Sequence, residues 1–348
     1  MKPRLPEFNN VLPYLAQLDS SGIYTNNGPL VQLLEKRHAD RWGINPELVV
    51  SVTNATLAIQ GCVAVSQQHH WICPNFTFAA TAHAVLQSGK KLYLADVDES
   101  SWMLDLEKLP VSEKRRGIIP VMPFGAPVKL NFFDRWEDVV VDAAASLGSR
   151  IDGVSEMKSG HFVVFSLHAT KVLGSGEGAL VICGSGEAAR ELRSWCNFGF
   201  KNSRESAIIA TNAKMSEIAA AYGLASLDGY DFEEDEWSRA LRIKNDYVSS
   251  LGISNHSDFY PGFRPYWIFD LNDYDSIDFS KAFSSKGIEI RRWWPKPISD
   301  MPGFNNTWTF LGKNVVSPSL AHRLIGLPMF RQITERQLDL ISEAITSL

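Results

Sequence analysis

Short apolar runs, separated by connections long enough for a helix, dominate the first half of the chain. They lie at residues 48–52, 71–73, 92–97, 118–122, 139–141, 162–165 and 179–183. Runs of this length that are rich in β-branched residues are typical of buried strands, and parallel strands need helix-length crossovers between them. The pattern therefore predicts an α/β fold with a mixed, mostly parallel sheet covered by helices.

The rest of the chain shows helical spacing or turn signals. Helices are predicted at residues 29–43, 57–65, 187–197, 215–227 and 334–348, and another begins in the acidic residues 231–236. Two shorter strands are predicted at residues 266–271 and 288–291, and the segment before residue 27 is interpreted as an irregular arm. These elements predict a large domain with this N-terminal arm, residues 1–235, and a smaller α+β domain, residues 236–348.

Composition excludes several classes of function. Of the 348 residues, 45% are hydrophobic and 21% are charged, as in folded globular proteins. The net charge of -5, without a basic stripe, argues against nucleic acid as a partner. Because no apolar run reaches the length of a membrane span or a signal peptide, we expect a cytoplasmic protein without membrane contact. The four cysteines form no C-x-x-C pair and are interpreted as reduced, mostly buried thiols.

The segment FSLHATKVLGSGEG, residues 165–178, has the character of an active site. A predicted strand ends in small hydroxylated residues, a lysine follows, and a glycine-rich loop leads into the next strand. A lysine amine that is held near a carbonyl group and has a lowered proton affinity can form a Schiff base. For a lysine taken alone, a solvated loop position would be the favoured interpretation.

The surrounding chain offers the other groups that pyridoxal phosphate requires. Asp142 ends an apolar strand and could bind the pyridine nitrogen. Residues 54–56, at the mouth of a helix, offer backbone N–H groups for the phosphate, and Ser166 adds a hydroxyl. Either Phe76 or Phe78 could lie against the ring. Singly, each feature has a structural alternative, since Asp142 could be a helix N-cap and aromatic residues at strand ends are usually core.

Ordered motifs over nearly the whole chain resemble the DegT/StrS family, the sugar aminotransferases of the aspartate aminotransferase fold, which is fold type I of the pyridoxal-phosphate enzymes. The lysine segment carries the strongest likeness. The other motifs are residues 21–29 (SGIYTNNGP), 53–56 (TNAT), 74–78 (PNFTF), 96–98 (DVD), 142–144 (DAA), 211–218 (TNAKMSEI), 290–294 (IRRWW) and 325–328 (IGLP). Their number and order are specific for the family, although not for one substrate.

The resemblance implies a role for each matching cofactor-binding position. Lys171 corresponds to the lysine that forms the Schiff base, and Asp142 corresponds to the partner of the pyridine nitrogen. Phe78 corresponds to the aromatic residue that stacks on the ring. The implied phosphate contacts are Asn54, Ala55 and Ser166.

The resemblance also implies a partner subunit and a substrate site. Asn212 matches an asparagine that family members contribute from the second subunit, which implies a homodimer with shared active sites. Two segments are expected to approach the substrate, and a guanidinium group there would suit a sugar nucleotide's diphosphate. The implied substrate-binding residues are Tyr24, Asn26, Arg291, Arg292 and Trp293.

The predicted reaction is amino transfer to a nucleotide-linked keto sugar. L-glutamate would convert pyridoxal 5'-phosphate into pyridoxamine 5'-phosphate, which would pass the amine to the sugar. Lys171 would move the proton as a general acid and base. Family base rates favour a dTDP-linked 4-keto-6-deoxy sugar, on the route to deoxyamino sugars of surface polysaccharides such as O-antigen and lipopolysaccharide.

Several alternatives stay open at this point. The substrate could be a 3-keto sugar, or the product an amino-aromatic compound. A sugar dehydratase of the same fold would carry histidine in place of Lys171, and a non-catalytic regulatory member would not need an intact site. Ala145 and Met122 depart from the family pattern, which has histidine or glutamine at the first position and histidine at the second. His168 is a possible proton shuttle, and His69-His70 is interpreted as an exposed turn rather than a metal site.

Overall fold

The computed structural model describes residues 3–109, 116–250, 265–271 and 274–348. Its strands in chain order are β1 (Val49–Val52), β2 (His70–Pro74), β3 (Lys91–Ala95), β4 (Gly117–Ile118), β5 (Val128–Lys129), β6 (Val139–Asp142), β7 (Ile151–Asp152), β8 (His161–Ser166), β9 (Ala179–Cys183), β10 (Trp267–Asp270), β11 (Trp308–Leu311) and β12 (Leu324–Leu327). Eight of these strands form one sheet in the order β1-β9-β8-β6-β4-β2-β3-β11.

Strand direction places several chain segments at one edge of the large sheet. β9 runs antiparallel to both of its neighbours, β1 and β8, whereas the other neighbouring strands of the sheet are parallel. Consequently β1, β2, β6 and β8 all point the same way, and their carboxyl ends meet at one edge. The prediction of a mixed, mostly parallel sheet in an α/β fold is confirmed. In open α/β sheets this carboxyl edge is where ligands bind.

Helices cover both faces of the sheet because its strands are apolar on both sides. Along β6, Val139 and Val141 pack into one core and Val140 packs into the other. The helices are α1 (Phe8–Ser21), α2 (Pro29–Trp42), α3 (Ala55–Val65), α4 (Ala79–Gln87), α5 (Gly186–Cys196), α6 (Glu217–Asp228), α7 (Tyr230–Ser250), α8 (Ser276–Ser285), α9 (Val316–Arg323) and α10 (Glu335–Thr346). Helices α1, α2 and α6 pack together, as do α3, α4 and α5.

The C-terminal part of the chain has a core of its own. β10 and β12 pair as antiparallel strands, and α8 and α10 pack against each other. Side chains such as Phe279, Phe283 and Leu338 are fully buried in this core. Within this part, β11 pairs with β3 and so joins the large sheet. The boundary at residue 235 lies inside α7 and stays a prediction.

Two predicted elements differ from the structure. Residues 8–21 are not irregular but form helix α1, which buries Val11 and Leu18 and ends at Gly22 in the left-handed region. Pro13 lies inside this helix and obscured its pattern in the sequence. Residues 288–291 form no strand, because Arg291 makes only an isolated bridge with Gly326.

The four cysteines are free and buried, as predicted. Burial raises the pKa of all four thiols above the ordinary value. None of the helices in the part of the chain that the structure describes is both long and apolar enough to cross a membrane.

Candidate active site

Lys171 lies in a tight turn directly beyond β8. Its backbone N–H donates to the carbonyl of His168 at 2.8 Å. The Nδ1 atom of His168 accepts the Thr170 N–H at 3.2 Å and lies 2.8 Å from the Thr170 hydroxyl. Through these contacts His168 stabilises the turn that carries Lys171.

The glycine-rich loop after Lys171 holds the turn from its other side. Gly176 accepts the Ala169 N–H at 2.9 Å with a φ of 90°, a value that favours glycine. At Gly178, a Cβ atom would lie 2.5 Å from the Ser175 hydroxyl oxygen. Glycine is therefore needed at both positions for the loop to pack against the lysine turn.

The Lys171 amine meets a residue from the C-terminal part of the chain. Its Nζ donates to the hydroxyl of Tyr266 at 2.9 Å. Tyr266 directly precedes β10 and is buried. Nothing in the sequence pattern predicts this contact.

Asp142, at the end of β6, lies in a dry and polar environment. It is buried, its Oδ2 accepts the Thr81 hydroxyl at 2.7 Å, and its Oδ1 accepts the Ala144 N–H at 3.2 Å. Burial raises the pKa of the Asp142 carboxyl above its ordinary value, although these two hydrogen bonds and the charge of Lys171 oppose the shift. A buried carboxylate with a raised pKa is stabilised by any cation placed beside it.

The start of α3 provides backbone donors at the same edge. The Asn54 side chain caps the helix by accepting the Leu57 N–H at 2.9 Å. The first N–H groups of the helix, at Ala55 and Thr56, have no partner within the helix and lie at the positive end of its dipole. Ser166 ends β8, and its hydroxyl oxygen accepts the His168 N–H at 3.2 Å.

The two aromatic residues after β2 have different surroundings. Phe76 is buried and packs edge-on against Trp294, with ring centroids 4.7 Å apart. Phe78 is 60% exposed at the N-cap of α4. Of the two, only Phe78 has a ring face free for a ligand or a second subunit.

The chemistry of these groups fits pyridoxal phosphate. Segments at one sheet edge carry four suitable groups. These are a primary amine, a buried carboxylate that a cation would stabilise, the first N–H groups of a helix and an exposed aromatic ring. Among the residues that the structure describes, no three His, Cys, Asp or Glu side chains are grouped so that they could hold a metal ion.

Tyr24 and Asn26 lie in a turn beside the start of α6. The Tyr24 carbonyl accepts the Glu217 N–H at 3.0 Å, and Asn26 has a φ of 67°. The Glu217 carboxylate accepts the Leu30 N–H at 2.7 Å, so this buried side chain joins α6 to the start of α2. Both predicted residues are exposed.

Asn212 is exposed on the segment that leads into α6. The next residue, Ala213, accepts the Thr53 N–H at 2.8 Å, which fixes this segment next to the turn after β1. Lys214 donates to the Asn197 side chain at 2.8 Å and lies over the ring of Phe198. The backbone around Asn212 is thus anchored while its side chain faces outward.

The three predicted residues around position 292 have different neighbours. Arg291 pairs with Glu289 at 3.0 Å and lines a cavity of about 1160 Å³ together with Lys171. Arg292 donates to the carbonyl of His322. Trp293 packs edge-on against Tyr266, with ring centroids 5.5 Å apart. Arg291 and Trp293 therefore lie on the side of Lys171, and Arg292 is turned toward α9.

An aromatic cluster surrounds the two positions that depart from the family pattern. Phe124 stacks on Trp294 with centroids 4.5 Å apart and meets Tyr266 at 5.8 Å. Ala145 packs against this cluster, and Met122 is buried in the adjacent core. Ala145 therefore borders an apolar cluster that is rich in aromatic rings.

Comparisons with known proteins identify similar sugar-modifying enzymes. A dTDP-4-amino-4,6-dideoxy-D-glucose transaminase of Shigella dysenteriae is 31% identical over 370 residues, covering 100% of this chain and 98% of that protein. A GDP-perosamine synthase of Escherichia coli O157:H7 is 24% identical, covering 94% of this chain and 92% of that protein. DesI, solved in the presence of its TDP-sugar product, superimposes with a TM-score of 0.85 at 25% identity, covering 99% of this chain and 90% of DesI.

The family comparison covers nearly the whole chain. The sequence profile of the DegT/DnrJ/EryC1/StrS aminotransferase family matches residues 8–346, which include every segment of the site. The chain belongs to this family of pyridoxal-phosphate-dependent aminotransferases.

Proposed function

We propose that the protein transfers the amino group of L-glutamate to a nucleotide-linked keto sugar, a dTDP-linked 4-keto-6-deoxy sugar in the first instance. The observation that carries this proposal is a lysine and a buried carboxylate at one sheet edge, where the charge of Lys171 acts on Asp142. The 31% identical dTDP-sugar transaminase and the TDP-sugar product bound by DesI support the sugar class. The amino sugar would enter surface polysaccharides such as O-antigen and lipopolysaccharide.

The cofactor-binding roles follow from the chemistry of each group. Pyridoxal phosphate, when bound, supplies an electron-accepting ring that stabilises negative charge at Cα of the amino acid. Asp142 holds a proton on the ring nitrogen, which strengthens that ring as an electron acceptor. Thr81 keeps the carboxylate oriented through its hydrogen bond to Oδ2. Phe78 would stack on the ring, and Asn54, Ala55 and Ser166 would hold the phosphate.

Lys171 acts through its amine. Its Nζ would supply the covalent link to the cofactor, and the free amine would serve as the general acid and base for the proton at Cα. The turn stabilised by His168 and Thr170 fixes the backbone of Lys171, so its amine can move only as far as the side chain reaches. The retained lysine argues against the dehydratase alternative, and the complete set of groups argues against a regulatory role.

The substrate contacts involve two segments. Tyr24 and Asn26 present polar groups from an anchored turn. Arg291 and Trp293 approach from the C-terminal part of the chain, on the same side as Lys171. A guanidinium group and an aromatic face suit a diphosphate and a nucleobase or sugar. Arg292 fixes the segment that carries Arg291 and Trp293 to α9, by donating to the carbonyl of His322.

A homodimer with shared sites completes the proposal. Large apolar side chains near Asn212 are exposed in the single chain, including Phe198, whose N–H donates to the Thr211 carbonyl, and Ile209, which is 98% exposed. Covering this surface with a second copy removes it from water and brings the outward-facing Asn212 to the partner's site.

The proposal is tested by product mass. The protein, loaded with pyridoxal phosphate and given L-glutamate, is incubated with dTDP-, UDP- and GDP-linked 3-keto and 4-keto sugars. We expect a product heavier by the exchange of C=O for CH–NH₂ with the dTDP-4-keto-6-deoxy sugar. Lys171→Ala should lose turnover by at least about 10⁴-fold, because general acid–base catalysis and the covalent link are both removed. A Lys171→Ala variant with unchanged turnover would refute the proposed mechanism, and amination of only 3-keto or amino-aromatic precursors would redirect the substrate assignment.

A further inference from the structure

The hydroxyl of Tyr266 is the acceptor of the Lys171 amine, at 2.9 Å. Two other rings meet the Tyr266 ring edge-on, with centroid distances of 5.5 Å to Trp293 and 5.8 Å to Phe124. Because the ring is buried and packs against these two rings, the position of its hydroxyl is restricted. The flexible partner in this hydrogen bond is the lysine.

The hydrogen bond joins two separate parts of the molecule. Lys171 follows β8 of the large sheet, whereas Tyr266 directly precedes β10, which pairs with β12. The four-carbon lysine side chain has many rotamers and would leave a catalytic position readily without a partner. Tyr266 therefore supplies a fixed point for the amine from outside the sheet.

A phenol hydroxyl suits an amine that must change its protonation state. It can accept a hydrogen bond from an ammonium group and can donate one to a neutral amine. A carboxylate at the same place would only accept and would hold the lysine as a cation. Two titratable groups of the described residues face Lys171: Asp142 at the end of β6, on which the lysine charge acts, and Tyr266, which accepts its hydrogen bond.

We infer that Tyr266 is a positioning residue that holds the free amine of Lys171 between the proton transfers of each catalytic cycle. The inference rests on the proposed function of Lys171. It concerns the amine when it is not linked to the cofactor, which is its state in the pyridoxamine-phosphate form of the enzyme. Tyr266 orients the proton carrier and takes no part in bond making.

The test compares Tyr266→Phe with Tyr274→Phe. The second variant loses a hydroxyl from the same part of the chain, where Tyr274 packs against Phe269 and Phe279 away from Lys171. Both proteins, loaded with pyridoxamine phosphate, are labelled with trace acetic anhydride. Mass spectrometry of the peptides gives the labelling of Lys171 relative to Lys214 in the same sample.

In Tyr266→Phe we expect the labelling ratio of Lys171 to rise about 3- to 10-fold, because a hydrogen bond to a charged group is lost. With proteins loaded instead with pyridoxal phosphate, the single-turnover rate with L-glutamate should fall by a similar factor, and the pH profile of that rate should shift. Tyr274→Phe should match the wild type in each measurement. An unchanged labelling ratio in Tyr266→Phe overturns the inference whatever the variant's stability, because the ratio is internal to each sample. Normal turnover in Lys171→Ala would instead refute the proposed function.

Discussion

Asp142 is a residue whose proposed role and contribution to stability oppose each other. Burial raises the pKa of its carboxyl in the folded chain. A raised folded pKa means that the stabilising contribution of the protonated form is complete below the unfolded pKa of about 3.9 and is lost as the pH rises through the folded pKa. At neutral pH, without the cofactor, the charged carboxylate therefore costs stability.

Asp142→Asn should accordingly stabilise the cofactor-free protein while abolishing its proposed activity. The amide keeps a partner for the Thr81 hydroxyl but cannot ionise. We expect the unfolding midpoint to rise by about 1–3 °C at pH 7 and not at pH 4, and turnover of the loaded enzyme to fall by at least about 100-fold. Thermal unfolding at both pH values checks the first effect. A lower unfolding midpoint at pH 7 would contradict the inference that the buried charge of Asp142 destabilises the cofactor-free protein.

Residue-scale prediction from the sequence succeeds where a side chain follows directly from its strand. Lys171 and Asp142 each come at or just beyond the end of an apolar run, so their sheet edge was predictable. Thr81 and Tyr266 were not predicted. Thr81 lies 61 residues from Asp142 and Tyr266 lies 95 residues from Lys171, and such contacts arise only when separate elements pack.

At the scale of elements, Asp96 ties the large sheet to α9. Its Oδ2 accepts the Val315 and Val316 N–H groups, both at 2.7 Å, and its Oδ1 accepts the N–H and the hydroxyl of Ser317 at 2.8 and 2.6 Å. Burial opposes the charged form, but these hydrogen bonds prevail and lower the pKa of the Asp96 carboxyl. A carboxylate at a helix start also interacts favourably with the helix dipole.

Asp96→Asn should destabilise the protein by about 1–3 kcal/mol at pH 7, because one oxygen and the charge are both lost. Since the folded pKa is lowered, the contribution of Asp96 is present above the unfolded pKa of about 3.9 and disappears as the pH falls through the folded pKa. The difference between variant and wild type in urea unfolding should therefore shrink below pH 4. Asp98→Asn is the matched control, since Asp98 accepts only local hydrogen bonds from Ser100 and Ser101 among the bonds described here. An equal loss in both variants would argue against the link to α9.

Element boundaries were predictable where local signals and packing agree. Pro29 and Gly43 frame α2, and Thr334 begins α10 with a capping box, as their positions in the sequence indicate. Residues 8–21 carry Pro13, so their helix depends on packing against α6 rather than on local propensity. β11 could not be assigned to the large sheet from sequence because its pairing with β3 spans more than 200 residues.

At the scale of the whole molecule, the single chain leaves its proposed site partly open. Phe78 and Ile209 are exposed, and Asn212 faces outward from an anchored backbone. The sequence resemblance implies a shared site, in which each subunit contributes its Asn212 to the site of the other. A shared site has a direct consequence, because two inactive variants can then restore each other.

Mixing Lys171→Ala with Asn212→Ala should restore activity. Each variant alone carries its defect in both sites of a homodimer. In a mixed dimer with shared sites, one site collects both substitutions and the other has intact Lys171 and intact Asn212. Random exchange makes half of the dimers mixed, so about a quarter of wild-type turnover should return.

The measurement is turnover with L-glutamate and the keto sugar after subunit exchange in mild denaturant, with sedimentation to verify the dimer. Lys171→Ala mixed with wild type is the control for exchange, since it reports dilution without complementation. If Asn212 serves the site of its own chain, the mixed dimer contains one site without Lys171 and one without Asn212. Activity would then stay at the sum of the two separate variants, and the shared site would have to be abandoned in favour of two self-contained ones.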